Sequence, residues 1–409
     1  MPVSGLRRRL RAEYGWVIVA TLSITETVTW GIVYYGFPVF LQPMEQDLGA
    51  SRVAVTGAFS VGLGVSALAA LPVGRWIDRH GGRALMTAGS CLATALTFAW
   101  ARVETLPVLY AVWFGMGVAM AATLYEPAFA VVVSWFPRGR DRALLIVTLA
   151  AGLASTIFMP IEAWLLTRVG WRSALTILAV VLGVITIPMH AALLRRSPGS
   201  PAGQRAADVG TVPARGLTLD VARRTAVFWV LSAAFFVSNF ATAALSTHLI
   251  PYLVGLGHSA TSAATAIGWM GAMQLVGRVL FVPISTRLGS GVMVASVFLA
   301  QAAGIVQLPF LGLIGTLLPF ILLQGAANGM ATLARATSIA ELFGARHYGA
   351  IAGAVAIGAN GARAVGPVGA SLLWVGLGSY PAVFWALAAS LVMAAVALLM
   401  VGTWASRDE

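Results

Sequence analysis

Twelve apolar runs, each of roughly 18–30 residues, follow one another from residue 16 to residue 404. They fall at 16–41, 54–75, 84–101, 106–135, 143–167, 172–194, 226–254, 262–286, 290–311, 314–343, 348–376 and 381–404. A bilayer core of ~30 Å is crossed by about 20 helical residues, so each run is long enough to span it. An open strand in lipid leaves backbone groups unpaired, which makes the runs helices. The composition agrees: 59% of residues are hydrophobic and 10% charged, against about 25% charged in soluble domains. The expected fold is an all-α membrane protein of twelve transmembrane helices.

The net charge is +12, and all 26 basic residues are arginine. They gather at span ends and form no single basic face, which argues against a nucleic-acid partner. Arg7, Arg8, Arg9 and Arg11 share a side with Arg79, Arg83, Arg138, Arg140, Arg142, the stretch 195–224, Arg287, Arg346 and Arg407. Arg52, Arg102, Arg168 and Arg172 lie on the other. The richer side is cytoplasmic, so both termini are expected there, in a multi-pass protein of a bacterial cytoplasmic membrane. The first apolar run is too long for a cleaved leader and reads as a retained span. The single cysteine, Cys91, allows no intrachain disulfide.

The halves echo each other. Leu48-Gly49-Ala50-Ser51 returns as Leu256-Gly257-His258-Ser259, and Arg79-His80-Gly81 as Arg287-Leu288-Gly289. Ala122-Thr123-Leu124-Tyr125-Glu126 returns as Ala331-Thr332-Leu333-Ala334-Arg335, with an acid where its copy has a base. Internal symmetry of this kind implies two pseudo-symmetric six-helix halves, 1–194 and 225–409. The polar stretch 195–224 between them is expected to be a mobile cytoplasmic linker.

Gly74-Arg75-Trp76-Ile77-Asp78-Arg79-His80-Gly81-Gly82-Arg83 follows the second span. It resembles the Gly-x-x-x-Asp-Arg-x-Gly-x-Arg loop of the major facilitator superfamily. Within that superfamily the chain looks most like the monocarboxylate-carrier and oxalate/formate-exchanger branch. The carriers of that likeness are Tyr14-Gly15-Trp16-Val17, Phe37-Pro38-x-Phe40, Arg142-Ala143-Leu144 and Gly277-Arg278. The resemblance implies that Arg278 holds a substrate carboxylate and that Asp78, Arg79 and Arg83 form a cytoplasmic gate. The chain departs from the animal carriers at Gln274, where they have an acid, and at Tyr35, where they have a lysine. It also lacks the arginine that many drug exporters carry early in span four.

Depth follows from the ~1.5 Å helical rise. Counted from flanking arginines or from Trp16, Arg278, Glu26, Glu126 and Arg335 lie about 13–18 Å in, near mid-bilayer. A charge at that depth is a functional hypothesis by default. Arg278 offers a planar fork for a carboxylate; the plainer reading is a partner for a neighbouring backbone carbonyl or loop carboxylate. Glu126 and Arg335 read as a pair that opens with the transport cycle, or as a proton carrier and an anion ligand. A static salt bridge is the alternative. Glu26 is a rival proton carrier, or else a carboxylic acid bonded to a neighbouring helix. It points opposite Tyr35 on a regular helix, unless the helix bends at Gly31. Tyr34, Tyr35, Tyr125 and Gln274 could shape a pocket or simply pack. Asn328 and Asn360 are expected to bond between helices.

These features predict a secondary transporter of a small, monocarboxylate-like organic anion, working by alternating access with proton symport. Substrate binding falls to Arg278, Arg335, Tyr35, Tyr125 and Gln274, proton coupling to Glu126 and Glu26. The partners are the anion, protons and the lipid bilayer, and the chain acts as a monomer. An exporter of drugs or secondary metabolites and an anion exchanger are the alternatives, and a non-transporting membrane sensor is a third. No catalytic or metal-ligand constellation is visible, so neither an enzyme nor a cofactor is expected.

Overall fold

The computed structural model describes residues 3–136, 138–197, 216–258, 260–311 and 316–405. They fold into two compact units. The first comprises Met1–Leu217 with Phe343–Ala354, and the second Thr218–Leu342 with Val355–Glu409.

The first unit opens with α1 (Val3–Thr29), which passes through a π-helical segment, Trp30–Tyr35, into α2 (Gly36–Leu48). Next come α3 (Arg52–His80), α4 (Gly82–Trp100), α5 (Leu106–Thr123), α6 (Tyr125–Trp135), α7 (Arg140–Gly152) and α8 (Ala154–Pro188). The second unit holds α9 (Ala226–Gly255), α10 (Ala260–Ser285), α11 (Ser290–Val306) and α12 (Leu318–Leu342). It also takes most of α13 (Tyr348–Leu377) and all of α14 (Tyr380–Ala405). Among the described residues these make twelve helical passages, as the apolar runs require. Spans five and six meet in α8 at Gly170, whose φ of 75° ends one helix and starts the next. Among the described residues seven stretches are long and apolar enough to cross a membrane by themselves, and the longest, Arg140–Leu193, holds both those passages.

Sequence explains the ends. Ser51 accepts a hydrogen bond from the Ala54 N–H at the start of α3, and Thr225 one from Phe228 at the start of α9. Each satisfies an amide the helix leaves over. The core of the first unit is aromatic. Phe37 packs on Phe59 and Trp113 at centroid distances of 4.7 and 4.9 Å, and Trp113 meets Trp100 at 5.1 Å. The second unit is tied by a buried polar network. Gln301 accepts from Ser238 at 2.9 Å and donates to Asn328 at 2.7 Å, and Thr242 donates to the same Asn328 oxygen. Asn328 thus bonds between helices as expected, which stabilises contacts that apolar packing in lipid cannot.

The stretch 195–224 is not uniformly mobile. Its start is pinned: Trp135 donates to the Arg195 carbonyl, Ser197 to the Ser134 carbonyl, and Arg196 to the His80 carbonyl. The Arg195 guanidinium also lies 4.6 Å from the Tyr14 ring centroid. Its end is fixed too, since Leu217 donates to the Phe343 carbonyl and Thr218 caps a helical turn at Leu219–Ala222. These polar groups find partners at helix ends, which outweighs the flexibility that glycine and proline suggest. Residues 198–215 lie outside the described residues.

Candidate functional site

In the first unit the acids gather around Trp30. Glu26 is 0% exposed, and its Oε2 accepts a hydrogen bond of 3.0 Å from Trp30 Nε1. The Trp30 ring meets Tyr125 at 4.9 Å, Tyr34 at 4.9 Å and Tyr35 at 6.3 Å. Glu126 follows Tyr125 and lies near enough for its charge to act on Glu26. The structure therefore brings Glu26, Tyr35, Tyr125 and Glu126 into one cluster. Opposed faces for Glu26 and Tyr35 hold only for a regular helix. The π turn between them takes in an extra residue and lets Trp30 touch both. Tyr34, which plain packing would explain, belongs to the same cluster.

Glu126 owes its place to Pro127. Proline has no N–H to give the Thr123 carbonyl, and its ring clashes with that group. The helix breaks at Leu124 (φ −88°, ψ −161°) and restarts at Tyr125, leaving Glu126 in the first turn of α6. A negative charge is favoured there by the unpaired amides and the helix dipole.

In the second unit Arg278 is 7% exposed on α10, with Gln274 one turn before it. The α10 backbone runs hard against α12 here: a β-carbon on Gly329 would come within 2.0 Å of the Gln274 carbonyl oxygen. Glycine is what permits that approach. Arg335 is half-buried on α12, on the face that carries Asn328. Two residues were missed. Trp30 carried no charge to mark it. Arg363 is exposed on α13 and donates to Asn239 Oδ1 at 2.7 Å.

At the loop after α3, the Asp78 carboxylate accepts from both the Gly349 and Ala350 N–H groups at 2.8 Å each. Both contacts lie within the first unit and satisfy amides at the start of α13. Arg79 and Arg83 are exposed. His347, in the loop before α13, is held below the ordinary imidazole value by burial and by the neighbouring Arg346 charge.

Fold and site define a multi-pass membrane protein with ionisable groups set deep in its helices. The family profile of the Major Facilitator Superfamily matches residues 22–322, and the chain belongs to that superfamily. It is 28% identical over 229 residues to the oxalate:formate antiporter of Oxalobacter formigenes, covering 56% of this chain and 53% of that protein. Against monocarboxylate transporter 13 of Bos taurus it is 25% identical over 276 residues, covering 65% of this chain and 60% of the relative. The chain thus spans little more than half the length of these relatives. Both fit the monocarboxylate and oxalate branch that the sequence motifs resemble. The crystal structure of the E. coli fucose:proton symporter superposes with a TM-score of 0.69 at 14% identity, covering 94% of this chain and 98% of that one. At that identity the likeness is one of fold.

Proposed function

We propose that the protein is a secondary transporter of small organic anions, monocarboxylate-like in size, that works by alternating access and couples uptake to protons. The observation that carries the reading is Arg278, a guanidinium 7% exposed inside an apolar helix. Such a group is expensive in a membrane and marks a functional site by default, and its fork suits two bonds to one carboxylate. The names of the two relatives, an oxalate:formate antiporter and a monocarboxylate transporter, support that substrate class. Arg335, Gln274, Tyr35 and Tyr125 complete the substrate contacts in this reading. Glu126 carries the proton, and Glu26, which accepts from Trp30, is the second proton-coupling acid. Asp78 holds the amino end of α13 in one state and releases it in another, with Arg79 and Arg83 beside it. The halves are 1–194 and 225–409, joined by 195–224. The protein works as a monomer in the bacterial cytoplasmic membrane with both termini inside.

The test is uptake of labelled carboxylates into proteoliposomes with and without a pH gradient, for the native chain and Glu126→Gln. Proton-driven uptake should fall at least tenfold in the variant, a loss of about 1.4 kcal/mol, while counterflow persists. If both survive unchanged, the proton role is wrong. Anion exchange is the second reading, favoured by the antiporter relative. It predicts counterflow in the native chain with no response to the gradient.

A further inference from the structure

The first span is seated on α8 at two glycines. A β-carbon on Gly31 would come within 2.3 Å of the Phe158 ring, and one on Gly36 within 2.9 Å of Glu162 Oε1. Phe158 and Glu162 are one turn apart, so a single face of α8 fills both seats. The π segment Trp30–Tyr35 contains the first of these glycines and ends just before the second. Helices of this kind are rare and occur mostly as single turns at functional sites, and this one carries the ring that bonds Glu26.

Glu162 is 0% exposed, and neither of its carboxyl oxygens has a hydrogen-bond partner among the described residues. A carboxylate stripped of water with neither donor nor cation costs far more than the neutral acid in the same place. The ionisable side chains flanking the seat are Tyr34 and Tyr35 on the π segment and Glu26 one turn before it. Arg168 follows six residues on along α8, about 9 Å away by helical rise. On the other packed elements the charges stand at the far ends: Glu45 and Asp47 late in α2, Arg140, Asp141 and Arg142 in the first turn of α7, and Arg83 in that of α4. None of these is bonded to Glu162.

We propose that Glu162 is a proton-binding site, separate from Glu26 and Glu126, that holds its proton while the π segment is seated on α8 and unseats the segment on losing it. The O–H bond breaks, the proton passes to solvent water, and the carboxylate left behind needs donors. Parting α8 from Gly36 admits them. That movement shifts Trp30, Tyr34 and Tyr35 together, so Glu162 acts as a positioning residue for the cluster around Glu26. The proposal holds whatever solute is carried.

Hydrogen exchange over residues 30–36, measured on the full chain in lipid nanodiscs across a pH series and corrected for intrinsic exchange, tests it without any transported solute. Failure of carboxylate uptake would leave this readout untouched. In the native chain, protection of the segment should fall as pH rises. Glu162→Gln, neutral at every pH, should stay protected throughout, and Glu26→Gln should keep the native response. Infrared spectra of the native chain should show the carbonyl band of a carboxylic acid lacking hydrogen bonds, lost in Glu162→Gln. Gly36→Ala, whose methyl group presses on the carboxyl, serves if Glu162→Gln does not fold: it should lose protection even at low pH. A pH-independent native segment, an unaltered pH response in Glu162→Gln, or an unaltered profile in Gly36→Ala overturns the proposal.

Discussion

Spans four and ten share a local sequence and fold it differently. Ala122-Thr123-Leu124-Tyr125-Glu126-Pro127 breaks at Leu124. Ala331-Thr332-Leu333-Ala334-Arg335-Ala336 runs unbroken through α12. The deciding residue is Pro127, which stands where the copy has Ala336. It deprives the Thr123 carbonyl of a donor and makes a new helix start. Glu126 thereby gains a helix N-terminus, worth about 0.3–1 kcal/mol to a negative charge at an exposed surface and more when partly buried. Arg335 sits in a helix interior, seven residues before Leu342, where the dipole offers it little. The repeat supplies the place, and the punctuation decides which charge the place can hold. Spans one and seven differ in the same way, since a π turn interrupts the first and α9 is assigned as one helix from Ala226 to Gly255.

The contrast divides the charges: acids sit in the first unit's broken spans, arginines in the second unit's continuous ones. Removing an arginine should hurt most. Arg278→Ala is expected to lower kcat/KM for carboxylate uptake about 100-fold, within the ~2–5 kcal/mol that truncating a buried charged contact costs. Arg278→Lys should fall between, because an ammonium lacks the planar fork. An equal loss in Gln274→Ala, with Arg278→Ala no worse, would break the division.

The proline itself can be moved. Ala336→Pro should destabilise the protein by about 3 kcal/mol, the cost of proline inside a helix, read as a lower midpoint of thermal unfolding in detergent. Pro127→Ala should change stability by less than about 1 kcal/mol, since proline is tolerated in a helix's first turn. It should still reduce uptake by rejoining α5 to α6. If Ala336→Pro unfolds like the native chain, the difference between spans four and ten is not the proline's doing.

Much of this was legible. Twelve apolar runs with arginines at their ends dictate twelve helices, because lipid leaves the backbone no other choice. The run 106–135 reads as one span, and the break at Leu124 that Pro127 imposes appears only in the structure. The π turn had no mark, since Trp30–Tyr35 reads as ordinary apolar helix and its seat on Phe158 and Glu162 is set far along the chain. Trp30 was hidden for the same reason: it is one of thirteen tryptophans, and its N–H meets Glu26 only in the folded chain. The pinning of residues 195–197 depends on carbonyls and rings elsewhere in the unit, which a glycine- and proline-rich stretch does not disclose.

Burial works against a charge on Asp78, and the two backbone amides it accepts from offset part of that cost. Asp78→Asn keeps one oxygen and loses the charge. A cost of about 1–2 kcal/mol is expected from exchanging charged for neutral hydrogen bonds. It should appear as faster hydrogen exchange at residues 349–350, with a smaller change in the interior of α12. Uniform loss of protection across both units would mean that the carboxylate supports the whole fold and not the start of α13.

The smallest effect tests the comparison most finely. The offset of 209 that pairs Ala122 with Ala331 puts Asn239 opposite Trp30, one residue from the offset of 208 that pairs Leu48 with Leu256. Each serves a charge in its own unit: Trp30 Nε1 donates to Glu26, and Asn239 Oδ1 accepts from Arg363. Neighbouring places of the repeat thus present a donor to an acid in one copy and an acceptor to a base in the other. Trp30→Phe keeps a ring facing Tyr125 and removes the N–H with part of the indole, and the lost hydrogen bond puts about 1 kcal/mol at stake, roughly fivefold in uptake rate. Asn239→Ala should match Trp30→Phe in size and act through Arg363, so that combining it with Arg363→Ala adds nothing further. Additive losses there would mean that the two positions share an offset and no function.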